Sequence, residues 1–369
     1  MSRVPERATD VIALVAAFML VVGCTFSDDV VEFLLDVAAH SSSPSQPWLV
    51  FVADSVLVLA SVALKWSFDD GRTAMATLLR KMRTSEGARL VTDEFAPYRR
   101  STGGISYTDV GRGPVTLFVH GVFTNGRLWR NCVRSLSENR RCISIDLPGH
   151  GHTRPVGEAS VWGLADAVDT VIDQLNLRDI HLVGNDTGGA VSQIVLTRDP
   201  TRFATFALTN CDTEGNLPPA AFRPAVWAAK TGLMRLAAKP LISMPTIAKQ
   251  IYRTGYQNVS AVPDDVIVDY LTPILGNSDG LRFMTALLSS MTPDQLAPIT
   301  PLLRTCETPT AIIWGTGDIF FTRKWADWLV DLIPGATSVT EIPGGRLFFP
   351  DERAPELVKA LNSHWNGSS

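Results

Sequence analysis

From about Ser85 onward, short apolar runs alternate with segments of helical period. ISYTDV (Ile105–Val110), PVTLFVHG (Pro114–Gly121), RCISIDLPG (Arg141–Gly149), DIHLVGND (Asp179–Asp186), FATFALTNCD (Phe203–Asp212), TPTAIIWGTGD (Thr308–Asp318) and ATSVTEIPGG (Ala336–Gly345) read as strands. Helical patterns run through Trp129–Ser137, around Ser160–Leu175 and onward from Gly188. The runs TLFVH, CISID and AIIWG are apolar on both faces, as central parallel strands must be when helices cover both sides of a sheet. The alternation predicts an α/β fold, a mostly parallel sheet wrapped by helices. Asp212 to about Thr305 breaks the rhythm: it is rich in Ala, Leu and Pro and shows no convincing strand. The expected organisation is a core of residues 85–211 and 306–369, with residues 212–305 inserted as a helical cap.

The N-terminal region follows a different pattern. VIALVAAFMLVVGCTF (residues 11–26) carries no charge, and WLVFVADSVLVLASVALKW (residues 48–66) has only Asp54 before Lys65. As helices they would span roughly 25–28 Å, just short of a bilayer core of about 30 Å. The link between them holds Asp28, Asp29, Glu32 and Asp36 and no Lys or Arg, whereas Arg3, Arg7, Lys65, Arg72, Arg80, Lys81 and Arg83 flank the pair. The positive-inside rule then predicts a two-helix membrane hairpin within residues 1–84, with the C-terminal domain on the cytoplasmic face of the cell membrane. A signal peptide ending at Cys24, where LVVGC resembles a lipoprotein box, or two helices packed on the globular domain or on a partner chain, are the alternatives. The acidic Glu6 and Asp10 and the second apolar run argue against a signal peptide.

Net charge is -4 with no long basic run, which gives a nucleic-acid partner no electrostatic support. The five cysteines (Cys24, Cys132, Cys142, Cys211, Cys306) have no CxxC or Cys/His metal spacing and read as ordinary thiols. No metal is expected from these motifs.

Three motifs at strand ends carry candidate chemistry, where open α/β sheets place their ligands. In Gly184-Asn185-Asp186-Thr187-Gly188, small residues lie two positions either side of Asp186, between a strand and a helix. That spacing suits a strained turn which thrusts the central side chain into a site, here a carboxylate able to attack carbon and form an ester. His120-Gly121 ends another strand, so the N–H groups of Val122 or Phe123, with that of Thr187, are candidate oxyanion donors. His120 itself reads as structural rather than as a base. Asp318, in WGTGD, suits an acid that orients a histidine, or a turn aspartate bonding its own backbone.

Together the HG pair followed by Thr124 and Leu128-Trp129-Arg130, DLPGHGHT, GNDTGG and WGTGD resemble the α/β-hydrolase superfamily over about Ile105–Leu361. Within it they resemble the Asp-nucleophile branch of haloalkane dehalogenases and epoxide hydrolases. The resemblance implies an eight-stranded sheet, a helical cap, no cofactor and a lipophilic small-molecule substrate. It also implies Asp186 as nucleophile, Val122 or Phe123 and Thr187 as oxyanion donors, and Asp318 as acid.

The chain departs from that pattern at two places. Dehalogenases of the branch commonly hold the halide with a Trp after the nucleophile and an Asn after the HG pair; these positions are Thr187 and Val122 here. Epoxide hydrolases protonate the epoxide from cap tyrosines, for which Tyr252, Tyr256 and Tyr270 are candidates. More seriously, the Pro-Gly-x-x-His segment after the last strand reads PGGRL, and Leu347 occupies the histidine position. Arg346 beside it is a candidate partner for Asp318 or Asp186, and His120 and His152 are the least implausible replacement bases. The expectations are an Asp186 hydrolase with an unusual or absent second step, a non-hydrolytic acid/base enzyme in the same pocket, or a pseudoenzyme that binds a ligand or partner.

Overall fold

The computed structural model describes residues 93–367 except Met244; the N-terminal segment expected to form the membrane hairpin lies outside the described residues. Eight strands form one sheet: β1 (Arg99–Thr102), β2 (Ile105–Val110), β3 (Val115–Val119), β4 (Arg141–Ile145), β5 (Ile180–Asp186), β6 (Phe203–Cys211), β7 (Thr310–Gly315) and β8 (Ala336–Ile342). Their order across the sheet is β1-β2-β4-β3-β5-β6-β7-β8. β2 runs antiparallel to β1 and β4, and every other pairing is parallel.

The strands read as central are central. β3, β4 and β7 are buried along nearly their whole length, whereas the edge strand β8 exposes most of its residues. β1, with the sequence RRST, has no apolar residue to mark it and was not among the expected strands. It exists because its backbone pairs with β2.

Helices α1 (Arg130–Leu136), α2 (Val161–Gln174) and α3 (Thr187–Arg198) connect the first strands. Ser160 caps α2 by accepting from the Gly163 N–H at 3.1 Å, which satisfies one of the orphan donors of the first turn. Between β6 and β7 lie α4 (Arg223–Lys230), α5 (Leu233–Ser243), α6 (Pro245–Tyr252), α7 (Asp264–Leu275), α8 (Ser278–Ser290) and the short α9 (Thr300–Leu303), with no strand among the described residues. α10 (Arg323–Leu332), α11 (Phe349–Glu352) and α12 (Ala354–Gly367) complete the chain. Among the described residues no helix is long and apolar enough to cross a membrane.

The cap is tied to the core by polar contacts around one edge of the site. The Arg127 guanidinium pairs with Asp265 at 2.9 Å, Asn125 donates to Asp269 at 2.9 Å, and the Phe348 N–H donates to the Gly255 carbonyl at 2.8 Å. The Phe348 ring packs on Tyr252 and Tyr256, with centroids 5.7 and 5.0 Å away.

Candidate active site

Asp186 ends β5 and precedes α3 with φ 55° and ψ −134°, a conformation that a non-glycine residue holds at a cost of about 1–3 kcal/mol. The strained turn expected from GNDTG is therefore present. Two glycines permit it sterically. A Cβ on Gly188 would lie 2.3 Å from the His120 carbonyl oxygen, and one on Gly121 would lie 2.1 Å from the Asp186 carboxylate. The nucleophile candidate thus rests directly on the HG turn.

Backbone N–H groups of Thr187 and Val122 face the Asp186 carboxylate and favour its ionised form. Burial and the charges of Asp212 and Asp318 oppose them and push its pKa well above the ordinary carboxylate range. Of the two HG-loop donors expected, the structure directs Val122 at Asp186. Phe123, with φ 58°, instead offers its carbonyl to the Tyr252 hydroxyl.

Asp212 was not among the residues singled out in the sequence. It follows β6 and is buried; its Oδ2 accepts from the Thr187 hydroxyl at 2.9 Å, and its Oδ1 has no partner. Burial pushes its pKa up to about 7, with the Thr187 hydroxyl pulling down. The only signal in the sequence was an acid at a strand end, which is too common to select it. The same bond commits the Thr187 hydroxyl proton to Asp212.

Asp318 is held after β7 by Asn210, which donates to Oδ2 at 2.8 Å, and by the Phe320 N–H, which donates to Oδ1 at 2.8 Å. Burial lifts its pKa to about 7, opposed by the Phe320 N–H, by Asn210 and more distantly by Arg346. No histidine touches it among the described residues.

Arg346, a candidate partner for either carboxylate, pairs with neither among the described residues. Its Nη1 donates to the backbone carbonyls of Arg253 and, at 3.1 Å, Tyr256, in the turn that follows α6. Leu347 is buried, and its carbonyl accepts from the Asn185 side chain at 3.1 Å. Asn185 thus fixes the backbone where the resemblance places a histidine.

None of the five described histidines serves as a base here. His120 is fully buried: its Nδ1–H donates to the Gly121 carbonyl at 2.7 Å, its Nε2 accepts from the Leu147 N–H at 3.0 Å, and burial lowers its pKa to about 4. The suggestion that His120 substitutes for the missing base is corrected by those two bonds, which use both ring nitrogens. His152 is taken by Asp146 at 3.2 Å, His181 by Thr205 at 2.8 Å, and His150 bonds the Pro148 carbonyl at 3.0 Å. His364 sits on α12, away from the strand ends that carry the three acids.

The cap tyrosines are likewise engaged. Tyr252 donates to Phe123, and Tyr256 donates to Asp351 at 3.0 Å; Asp351 also pairs with Arg130 at 2.9 Å. Tyr270 is fully buried beside Tyr252, with ring centroids 5.9 Å apart. Burial raises the pKa of all three, and the bonds of Tyr252 and Tyr256 assign those two to cap packing. Half-buried Phe123, Phe222 and Phe320 come from the HG loop, the start of the cap and the Asp318 loop. They meet edge-on at 6.1 and 6.3 Å.

Residues 114–238 match the family model for the alpha/beta hydrolase fold. A haloalkane dehalogenase of Mesorhizobium japonicum is 34% identical over 100 residues, covering 27% of this chain and 32% of that protein. Haloalkane dehalogenase 2 of Mycobacterium bovis is 25% identical over 279 residues, covering 70% of this chain and 90% of that protein. In three dimensions, an alpha/beta hydrolase fold protein from Burkholderia ambifaria superposes with TM-score 0.62 at 20% identity, covering 72% of this chain and 96% of that one. Strand order, strained strand-to-helix turn and these similarities agree: this is an α/β-hydrolase-fold protein whose relatives include haloalkane dehalogenases.

Proposed function

We propose that the protein acts on an apolar small electrophile of the epoxide or alkyl-halide class, with Asp186 as nucleophile and a slow second step. The observation that carries this reading is the placement of Asp186: a carboxylate on a strained turn, seated on Gly121, with two backbone N–H groups directed at it. The Phe123–Phe222–Phe320 cluster and the haloalkane dehalogenase relatives favour an apolar substrate.

In the first step an Asp186 oxygen attacks carbon; the C–halogen bond breaks with its electron pair leaving as halide, or the epoxide C–O bond breaks with its electron pair on oxygen, which takes a proton from water. The resulting alkyl ester is hydrolysed when water adds to Cγ of Asp186 and the ester C–O bond breaks. That water needs a base, and Leu347 supplies none. Asp212 is the group suited to take its proton, with an unpartnered buried Oδ1 and a Thr187 bond that fixes its other oxygen. A pKa near 7 matches a base working at neutral pH. The proton then passes to the departing alcohol.

The test is incubation with a panel of epoxides and alkyl halides, read by intact mass and product analysis. Wild-type protein is expected to carry an ester on Asp186 that decays slowly. Asp186→Asn is expected to form none, and Asp212→Asn to form it and retain it. A second reading rests on the raised pKa of Asp186 itself, which favours its protonated form and suits a donor for non-hydrolytic isomerisation or ring closure. Product without any adduct would favour it, and complete inertness would favour a ligand-binding pseudoenzyme. Anchoring of the chain by residues 11–26 and 48–66 belongs to the same proposal. Extraction of native membranes with alkaline carbonate tests it: release of the full chain into the supernatant would remove the anchor.

A further inference from the structure

From Gly215 to Pro263 the chain contains six Lys or Arg and no Asp or Glu, although the protein as a whole is acidic. This stretch covers α4, α5 and α6 of the cap. Arg223, Trp227 and Lys230 lie at i, i+4 and i+7, so they share one face of α4, and all three are exposed. Trp227 is 40% exposed and Ile251 of α6 is 49% exposed, two of the five large apolar side chains exposed among the described residues.

The cap's acidic residues offset this charge only at Lys249 among the described residues. Asp264 is paired with Lys249 at 2.6 Å, Asp265 with Arg127 at 2.9 Å, and Asp269 accepts from Asn125 at 2.9 Å. Arg223, Lys230 and Arg235 are exposed and form no ion pair among the described residues. Cations without partners interleaved with an exposed tryptophan on a helix face are the chemistry of a helix lying at a lipid headgroup boundary. Phe222, the residue immediately before α4, belongs to the aromatic cluster with Phe123 and Phe320.

We propose that the α4–α6 face of the cap docks on an anionic membrane surface, with Trp227 and Ile251 in the headgroup layer and Arg223, Lys230 and Arg235 on anionic headgroups. Docking there brings the Phe222 end of α4 to the bilayer, where a lipophilic ligand is concentrated. The proposal stands apart from the chemistry at Asp186 and from the N-terminal segment. An anchor would act on neutral and anionic bilayers alike, whereas this face requires negative charge.

The experiment is hydrogen–deuterium exchange of the full chain with phosphatidylcholine vesicles and with vesicles of phosphatidylcholine and phosphatidylglycerol. Peptides from residues 223–253 are expected to exchange more slowly only on the anionic vesicles. The protection is expected to be lost in about 0.5 M salt, where the Debye length falls to about 4 Å. In the triple variant R223E/K230E/R235E the lipid concentration for half-maximal protection is expected to rise on the order of 100-fold. These side chains are exposed, so the variant keeps its thermal midpoint. Equal protection on neutral vesicles, or none on anionic ones, overturns the proposal. So does protection that appears without lipid and grows with protein concentration, because the face would then meet a second copy of the chain.

Discussion

Gly121 lies directly beneath Asp186: a Cβ built on its backbone would be 2.1 Å from the carboxylate oxygen and 2.4 Å from the Asp186 Cβ. The carboxylate therefore has no freedom to retreat, and its position depends on one missing methyl group. Gly121→Ala is expected to displace Asp186 and lower the rate of adduct formation by about 10²-fold, since misplacement of about 1 Å costs that much. The loss of stability should be about 1–3 kcal/mol. Adduct kinetics by mass spectrometry together with denaturant unfolding separate the two effects.

Leu347 stands where the resemblance to the Asp-nucleophile branch places a histidine, on a backbone anchored by Asn185. Leu347→His is expected to speed ester breakdown by about 10²–10⁴-fold while leaving ester formation within a few-fold. The measurement is decay of a pre-formed adduct after removal of excess reagent. An unchanged decay rate would mean that loss of the imidazole does not explain the slow step.

Asp212 and Asp318 both have folded-state pKa values of about 7, raised by burial from the ordinary carboxylate value. The folded state thus holds more protons than the unfolded state as pH rises toward 7, and stability falls with rising pH. His120 and His150, lowered by burial to about 4 and about 3, act in the opposite sense below pH about 6.5 and contribute no slope above it. Between pH about 6.5 and 8.5 the unfolding free energy is therefore expected to decrease. Asp212→Asn is expected to flatten that decrease and to be more stable than wild type at pH about 8, by up to about 4 kcal/mol. Chemical denaturation across that range gives the answer.

Tyr252 and Tyr256 lie four residues apart yet bond different partners, Phe123 of the HG loop and Asp351. Tyr252→Phe is expected to loosen the HG loop and slow adduct formation by about tenfold, with about 1 kcal/mol of lost stability. Tyr256→Phe should leave adduct kinetics unchanged and lose about 1–3 kcal/mol, because Asp351 keeps Arg130 but loses a buried donor. If Tyr256→Phe slows the chemistry instead, its assignment to cap packing fails.

The chain's periodicity was enough to identify the doubly apolar strands, the helical insertion and the turn around Asp186. Each is local: a period of two or 3.6, a breaker, or small residues at fixed spacing. β1 escaped notice because its four polar residues carry no pattern, and only pairing with β2 makes them a strand. The cap tyrosines are candidate proton donors only through the resemblance to epoxide hydrolases, and their spacing places two on one helix face. Their actual partners lie 129 and 95 residues away.

The sequence by itself determined the central strands, the helical insertion and which residue stands at the strained turn, since all follow from side-chain size and polarity in short windows. It also determined that Leu347 carries no imidazole, which no tertiary arrangement can alter. Only the tertiary structure decided that Asp212 joins Asp186 and Asp318, that Arg346 turns to cap carbonyls, and that His120 is consumed by two bonds. Those outcomes depend on which groups are desolvated together, and burial converts ordinary acids into a coupled set. That coupling comes from chain segments far apart in sequence, so no local pattern records it.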